Sequence, residues 1–333
     1  MMTTRAPASP DMPASTGNSS PALRNPKTWR MLWVTFAWGS CFVAISIGLQ
    51  DAPLLWLAAL RALVAGAAVL LVATVRRAPY PRGPRPWMLI VTLGLVNVAL
   101  AYAAMFGGII GLSTGAASVL ANAQPLLILL PAWLFFRETP AWSTLAAMLV
   151  GFVGLLLIAV PSGFGTGAWL SLTSAVAITV GTLIARVVNA DPFVVAAWQL
   201  IIGGAVLALV AAIIDGPPAI DWSGRFIVVL LYLALLGTAA TNVAWLVEVR
   251  HASLGALTTW TLLVPIVGVL LSVAFLHERQ GVMGWAGTVI VVAAMVFLVV
   301  SKRWQPAGGQ RVGPARQDQR PHHIAVTDPT MGP

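Results

Sequence analysis

The sequence predicts an all-α polytopic membrane protein whose ten transmembrane helices form two inverted five-helix repeats. Three observations lead to that expectation. Of 333 residues, 59% are apolar and 9% charged, with a mean hydropathy of +0.88; soluble domains average about 45–50% apolar and about 25% charged. The charges cluster and leave recurring apolar stretches of about 20 residues between Met31 and Ser301, the length that crosses a hydrocarbon core. An internal repeat is also visible at an offset of 140 residues. Composition and patterning exclude a soluble enzyme, a nucleic-acid binder and a disulfide-stapled secreted domain.

Residues 1–28, rich in Pro, Ser and Thr, and residues 304–333, rich in Pro, Gly, Gln and Arg, hold too little apolar surface to offset the entropy of ordering. They are expected to be disordered cytoplasmic tails. The first apolar stretch is long enough to span and lacks a small-residue cleavage pattern, so it reads as an anchored helix rather than a signal peptide. A first repeat, 29–161, contains spans at 31–49, 53–75, 87–107, 112–136 and 141–160. A second, 162–303, contains spans at 167–187, 193–214, 226–247, 254–276 and 281–301. The separators carry turn chemistry or charge, as in Asp51 with Pro53, Arg76 to Pro86, Arg137 to Pro140, Asp191-Pro192 and Asp215 to Pro218. Runs of this length exclude the alternating strands, about ten residues long, of an outer-membrane barrel.

Orientation follows from basic residues near the span ends. With the amino terminus inside, the inner face gains Arg24, Lys27, Arg30, Arg76, Arg77, Arg82, Arg85, Arg137, Arg186, Arg250, Lys302 and Arg303, and the outer face only Arg225 and Arg279. Both termini are therefore expected in the cytoplasm, with the chain in the plasma (inner) membrane. The net charge of +9 then reads as membrane-surface charge rather than a nucleic-acid footprint.

The 140-residue offset sets Gly115-Ala116 on Gly255-Ala256, Pro125 on Pro265, Leu130 on Leu270, Phe135 on Phe275 and Glu138 on Glu278. A repeat of five helices is odd in number, so its second copy runs with inverted topology. That arrangement recurs in secondary transporters that work by alternating access around a site near the midplane.

Polar, charged and aromatic residues inside the spans are the candidates for a solute site. Arg61 is the basic residue set deepest in a span, where a charge needs a partner or water. It either attracts the carboxylate of a zwitterionic or anionic solute, or hydrogen-bonds neighbouring helix carbonyls or snorkels outward. Ser118 and Asn122 share a helix face with Gly111 and Gly115, and Thr258 shares one with Thr261. Ser40, Asn97, Tyr102, Gln199 and Asn242 add further polar groups, and Trp38, Trp245 and Trp260 could stack on an apolar or aromatic solute. Pro125 and Pro265 fall inside spans, where each removes a backbone donor and crowds the carbonyl four residues earlier, at Ala121 and Thr261. They either bend the helices to fit the bundle or act as paired hinges beside the cavity.

Glu138, Glu248 and Glu278 lie at span ends, so a proton relay through a central acid finds no support, and exchange or facilitated diffusion fits better. Glu248 is either the remaining relay candidate or, as expected, pairs with Arg250 or His251 at the cytoplasmic face. Cys41 is the only cysteine, and His251, His277, His322 and His323 lie outside the spans or at their edges, so no metal site or cofactor is expected. No phosphate-binding Gly-Lys-Ser/Thr loop and no intramembrane Ser–His pairing supports catalysis.

Several of these patterns together resemble the EamA type of the drug/metabolite transporter superfamily. Trp38-Gly39-Ser40 followed by Phe42-Val43-Ala44-Ile45 is similar to its first-helix signature, and Leu57-Ala58-Ala59-Leu60-Arg61 to its second-helix pattern. Ala123-Gln124-Pro125 through Glu138 and Leu263-Val264-Pro265 through Glu278 resemble its paired half-ending motifs. In the helix that follows, each half keeps one of two family glycines, Gly154 and Gly287. The resemblance covers about residues 30 to 301. It implies a pseudo-symmetric ten-helix bundle whose cavity forms mainly from spans 1, 3, 4, 6, 8 and 9, and a carrier that moves small metabolites, often exporting amino acids. Efflux of a drug or lipophilic solute, or metabolite uptake, is the alternative. The expected partners are a small-molecule solute and the lipid bilayer, with a homodimer as an open alternative.

Overall fold

The computed structural model describes residues 26–136, 142–160, 165–277 and 281–303, and every regular element among them is helical. In chain order these are α1 (Thr28–Gly48), α2 (Leu54–Val75), α3 (Pro84–Ile110), α4 (Thr114–Ala121), α5 (Gln124–Leu127), α6 (Leu129–Phe136) and α7 (Trp142–Ala159). There follow α8 (Thr166–Val187), α9 (Pro192–Ile214), α10 (Gly224–His251), α11 (Leu254–Trp260), α12 (Leu263–Phe275) and α13 (Val282–Arg303). Among the described residues six helices, α1, α2, α3, α8, α9 and α10, are long and apolar enough to cross a membrane, joined by shorter apolar helices within α7, α12 and α13.

Local chemistry sets the boundaries. Asp191 accepts the Phe193 amide at 2.9 Å with Pro192 at the first helical position of α9, and Ser223 accepts the Phe226 amide at 3.1 Å at the start of α10. After α9 the chain turns through Gly216, whose φ of 75° suits glycine, and the Gly216 carbonyl accepts the Trp56 indole N–H at 2.9 Å.

Two expected spans are not continuous helices. The stretch 112–136 divides into α4, α5 and α6, and 254–276 divides into α11 and α12, with breaks at Asn122–Ala123 and Thr261–Leu262. The expectation that Pro125 and Pro265 sit inside helices is corrected accordingly. Pro125 is the second residue of α5 and Pro265 the third of α12, positions where a missing N–H leaves no helical bond unmade. Around the first break Asn122 and Ala123 donate their amides to Val119 and Leu120 at 3.2 Å, and the Asn122 side chain donates to the Ser118 carbonyl at 2.7 Å. At the second, the Val264 amide takes the Thr261 carbonyl at 3.0 Å, so that carbonyl needs no cavity partner.

The helices pack in close pairs: α2 along α9, α3 along α8, α1 along α12 and α7 along α13. Small residues permit the approach. A Cβ on Gly154 of α7 would stand 2.7 Å from the Gly287 carbonyl oxygen of α13. Large apolar side chains such as Leu71, Ile110, Leu209 and Val289 are exposed around the outside, as lipid contact requires.

A central cavity as candidate functional site

Helices α1 and α10 run antiparallel, and their contacts form a ladder along the bundle. At one end Arg30 of α1 donates to Glu248 of α10 at 2.5 Å. Next come Trp38 with Trp245, then Cys41 with the Gly237 carbonyl at 3.8 Å, then the Ser40 and Tyr232 hydroxyls. At the other end Arg225 grips Asp51 through two bonds of 3.0 and 2.5 Å and reaches Gln50 at 3.1 Å.

Between these ion pairs lies a cavity of about 100 Å³. Its apolar wall is Trp38, Phe42, Met105, Ile178, Trp245 and Val264; Cys41, Arg61, Asn97, Tyr102, Asn122, Gln124, Thr182 and Asn242 supply polar or polarisable groups. Backbone irregularities bring several of these residues inward. Turns of π-helix interrupt α3 at Gly94–Leu100 and α10 at Tyr232–Ala240. Asn97 lies in the first and Tyr102 just after it, while Gly237 and Thr238 lie in the second and Asn242 just after it. Such turns are frequent at functional sites because they re-aim side chains. Asn122 sits at the break before α5.

The 140-residue offset also relates the lining positions. Trp38 and Ile178, Phe42 and Thr182, Tyr102 and Asn242, Met105 and Trp245, and Gln124 and Val264 are five such pairs in which both members line the cavity. Two close contacts obey the same relation. A Cβ on Gly237 would collide with the Cys41 sulfur, and one on Gly181 would collide with the Asn97 side chain.

Arg61, on α2, is buried at the cavity wall. Its Nε donates to the Thr238 hydroxyl at 2.6 Å, and its Nη2 approaches the Gly237 carbonyl at 3.4 Å and the Cys41 sulfur at 3.7 Å. The Tyr102 ring centroid lies 4.9 Å and that of Phe106 5.9 Å from its guanidinium carbon. Asn242 is fixed by donating to the Thr238 carbonyl at 3.0 Å, which turns its oxygen toward Gln199 Nε2 at 3.2 Å. Gln124 donates to Thr182 at 2.7 Å across the second wall.

Of the residues singled out from sequence, Trp38, Arg61, Asn97, Tyr102, Asn122, Asn242 and Trp245 come together here. The other candidates among the described residues do not line the cavity. Ser40 bonds the Phe36 and Ala37 carbonyls and Tyr232. Ser118 is fully buried, donates to the Gly115 carbonyl at 2.7 Å and packs where Gly268 leaves room, so its small-residue face serves helix approach. Trp260 packs against the main apolar core, and Thr261 is buried at the second break. The Thr258 side chain lies outside the described residues, as do Glu138 and Glu278. Glu248 takes Arg30 of α1, a partner from the other half of the chain. Residues two apart on a helix point to different sides, and His251 Nδ1 lies 2.7 Å from the Val247 carbonyl. Sequence reasoning passed over Cys41, Phe42, Met105, Ala121, Gln124, Ile178, Thr182 and Val264; the 140-residue offset from Trp38 and Trp245 identifies two of them, Ile178 and Met105.

The EamA-like transporter family matches the chain twice, over residues 29–160 and 165–300. A chloroplastic WAT1-related protein of Arabidopsis thaliana is 28% identical over 280 residues, which cover 79% of this chain and 67% of that one. A probable amino-acid metabolite efflux pump of Escherichia coli is 28% identical, covering 83% and 95% of the two chains. A probable terminal-alkyne amino-acid exporter of Streptantibioticus cattleyicolor is 26% identical, covering 81% and 92%. A crystal structure at 19% identity superposes with a TM-score of 0.68 over 83% of this chain and 97% of that one, which shows a shared fold. With a helical bundle rich in apolar spans and both halves matched, the chain belongs to the EamA-like transporter family and is a multi-pass membrane transporter, not an enzyme.

Proposed function

We propose that this transporter exports a small amphipathic metabolite of the amino-acid type across the inner membrane by alternating access, with both termini in the cytoplasm. The observation that carries the reading is the cavity lined by five residue pairs at one constant offset. That relation supports ten spans in two five-helix repeats of inverted topology, 29–161 and 162–303, with the solute site on their pseudo-two-fold axis. Alternating access then opens one end of the α1–α10 ladder at a time, releasing Arg30 from Glu248 on one side or Arg225 from Asp51 on the other. Pro125 and Pro265, just past the two helix breaks, are the proposed hinges. Amide groups and Arg61 beside an aromatic wall suit a solute with a polar head and an apolar body. Two relatives named for amino-acid efflux or export favour that class. No Asp, Glu or His is among the described lining residues, which supports exchange or facilitated passage rather than proton coupling. The apolar wall of Trp38, Phe42, Met105 and Trp245 favours lipophilic efflux as the second reading. Counterflow in proteoliposomes separates the two: saturable exchange of neutral or aromatic amino acids supports the first, and exchange confined to lipophilic solutes without an amino-acid head group supports the second.

A further inference from the structure

The geometry points to Arg61 as the residue that selects the solute, by binding a single carboxylate whose apolar body lies against Trp38 and Trp245. The inference rests on the cavity being the solute site and adds which head group it takes. Three observations carry it. First, Arg61 is 3% exposed and lines the cavity, yet its Nη1 has no hydrogen-bond partner, and no carboxylate pairs with it among the described residues. A buried charge without a counter-ion is expensive at membrane depth, and a solute carboxylate would relieve that cost on binding.

Second, the guanidinium is held ready. Thr238 occupies Nε, while Gly237 and Cys41 occupy Nη2, so one edge of the fork is anchored and the two Nη1 hydrogens are left for a ligand. Tyr102 and Phe106 fix the plane further. Charge-assisted bonds from such a pre-positioned donor are the strong ones.

Third, the charge breaks the symmetry of the cavity. The position 140 residues beyond Arg61 is Ile201, so a cavity paired in its walls is basic on one side only. A pseudo-two-fold site accepts a solute in two orientations unless something distinguishes its ends. Arg61 supplies that distinction and directs the carboxylate toward α2, leaving the amides of Asn97, Asn122 and Asn242 for the remaining polar group.

The test uses four probes with one apolar body: phenylalanine, 3-phenylpropionate, phenylalaninamide and phenethylamine. Tryptophan fluorescence of the full-length protein in nanodiscs reports binding beside Trp38 and Trp245. Both carboxylates are expected to give a saturable change, with the amide and the amine at least tenfold weaker. Arg61→Gln should remove that preference, while Arg61→Lys, which keeps the charge but cannot span Thr238, Gly237 and a ligand at once, should restore part of it. The head-group series on the unaltered protein is decisive even if a variant misfolds. Equal or tighter binding of the amide or amine, no saturable signal from either carboxylate, or an unchanged preference in folded Arg61→Gln would each overturn the inference. Amine counterflow that ignores carboxylates would likewise overturn it while leaving the transport reading standing. Arg61-dependent carboxylate binding without counterflow would support the inference and count against transport of these solutes.

Discussion

Trp38 of α1 and Trp245 of α10 meet with ring centroids 5.0 Å apart and planes tilted by 57°, so one aromatic wall of the cavity is built from both halves of the chain. Trp38→Ala or Trp245→Ala removes half of that wall. An aromatic ring packed on a solute ring contributes about 0.5–1.5 kcal/mol beyond the buried area, and 1.4 kcal/mol is about tenfold in affinity. Either variant is expected to express and fold, and to bind solute several-fold to about tenfold more weakly in counterflow competition. Unchanged counterflow would make the pair a packing contact and move the site elsewhere.

Thr238 is fully buried and holds Arg61 by a 2.6 Å bond. Thr238→Val keeps the shape but strands the Nε donor. Hydrogen bonds to charged groups are worth about 1.5–3 kcal/mol, so thermal unfolding in detergent should shift to lower temperature, and solute affinity should fall because the guanidinium loses its anchor. A variant as stable as the parent would show that Thr238 does not position Arg61.

Gly237 and Cys41 share a space too small for an extra methyl group. Gly237→Ala overpacks the junction of α1 and α10, at a cost of about 1–3 kcal/mol. Cys41→Ala in the same chain removes the colliding sulfur and should recover much of the loss. Thermal stability of the single and double variants measures this directly, and a double variant no better than Gly237→Ala would disprove the contact.

The two ion pairs at the ends of α1 differ in burial. The Arg30 side chain is 20% exposed over a Glu248 at 0%, and the Arg225 side chain is 53% exposed over an Asp51 at 4%. Both acids are buried, so the difference lies in the arginines. A cation shielded from water moves a pair toward the cost of about 3–5 kcal/mol for breaking a buried pair, whereas a half-solvated cation moves it toward the value of about 0–1 kcal/mol for exposed pairs. Arg30→Ala should therefore destabilise the protein more than Arg225→Ala in the same unfolding assay; the reverse order would contradict the burial argument.

Much of the cavity was legible from sequence because bilayer physics makes a polar group inside an apolar run conspicuous. Arg61, Asn97, Asn122 and Asn242 stand out on that ground, and tryptophans away from span ends add Trp38 and Trp245. The same rule overreached with Ser118 and Thr261, since helical periodicity says which residues share a face but not what that face meets. Ser118 meets Gly268 of α12, a contact set only by tertiary packing. Phe42, Met105 and Ile178 carry no such signal, because an apolar residue in a span is ordinary whether it faces a cavity, a helix or lipid. The prolines announced irregular helices, but the position of each break depends on where neighbouring amides and side chains can take up the freed groups. The π-helical turns of α3 and α10 left no trace in the residue pattern.

The most direct measurement is counterflow in proteoliposomes without any ion gradient, using labelled neutral, aromatic and cationic amino acids with the unaltered protein. Saturable exchange of the neutral or aromatic group, reduced by Trp245→Ala, is the expected result for a carrier whose solute occupies the cavity between α1 and α10. Folded protein that exchanges none of them, or that exchanges only when a proton gradient is imposed, would contradict it.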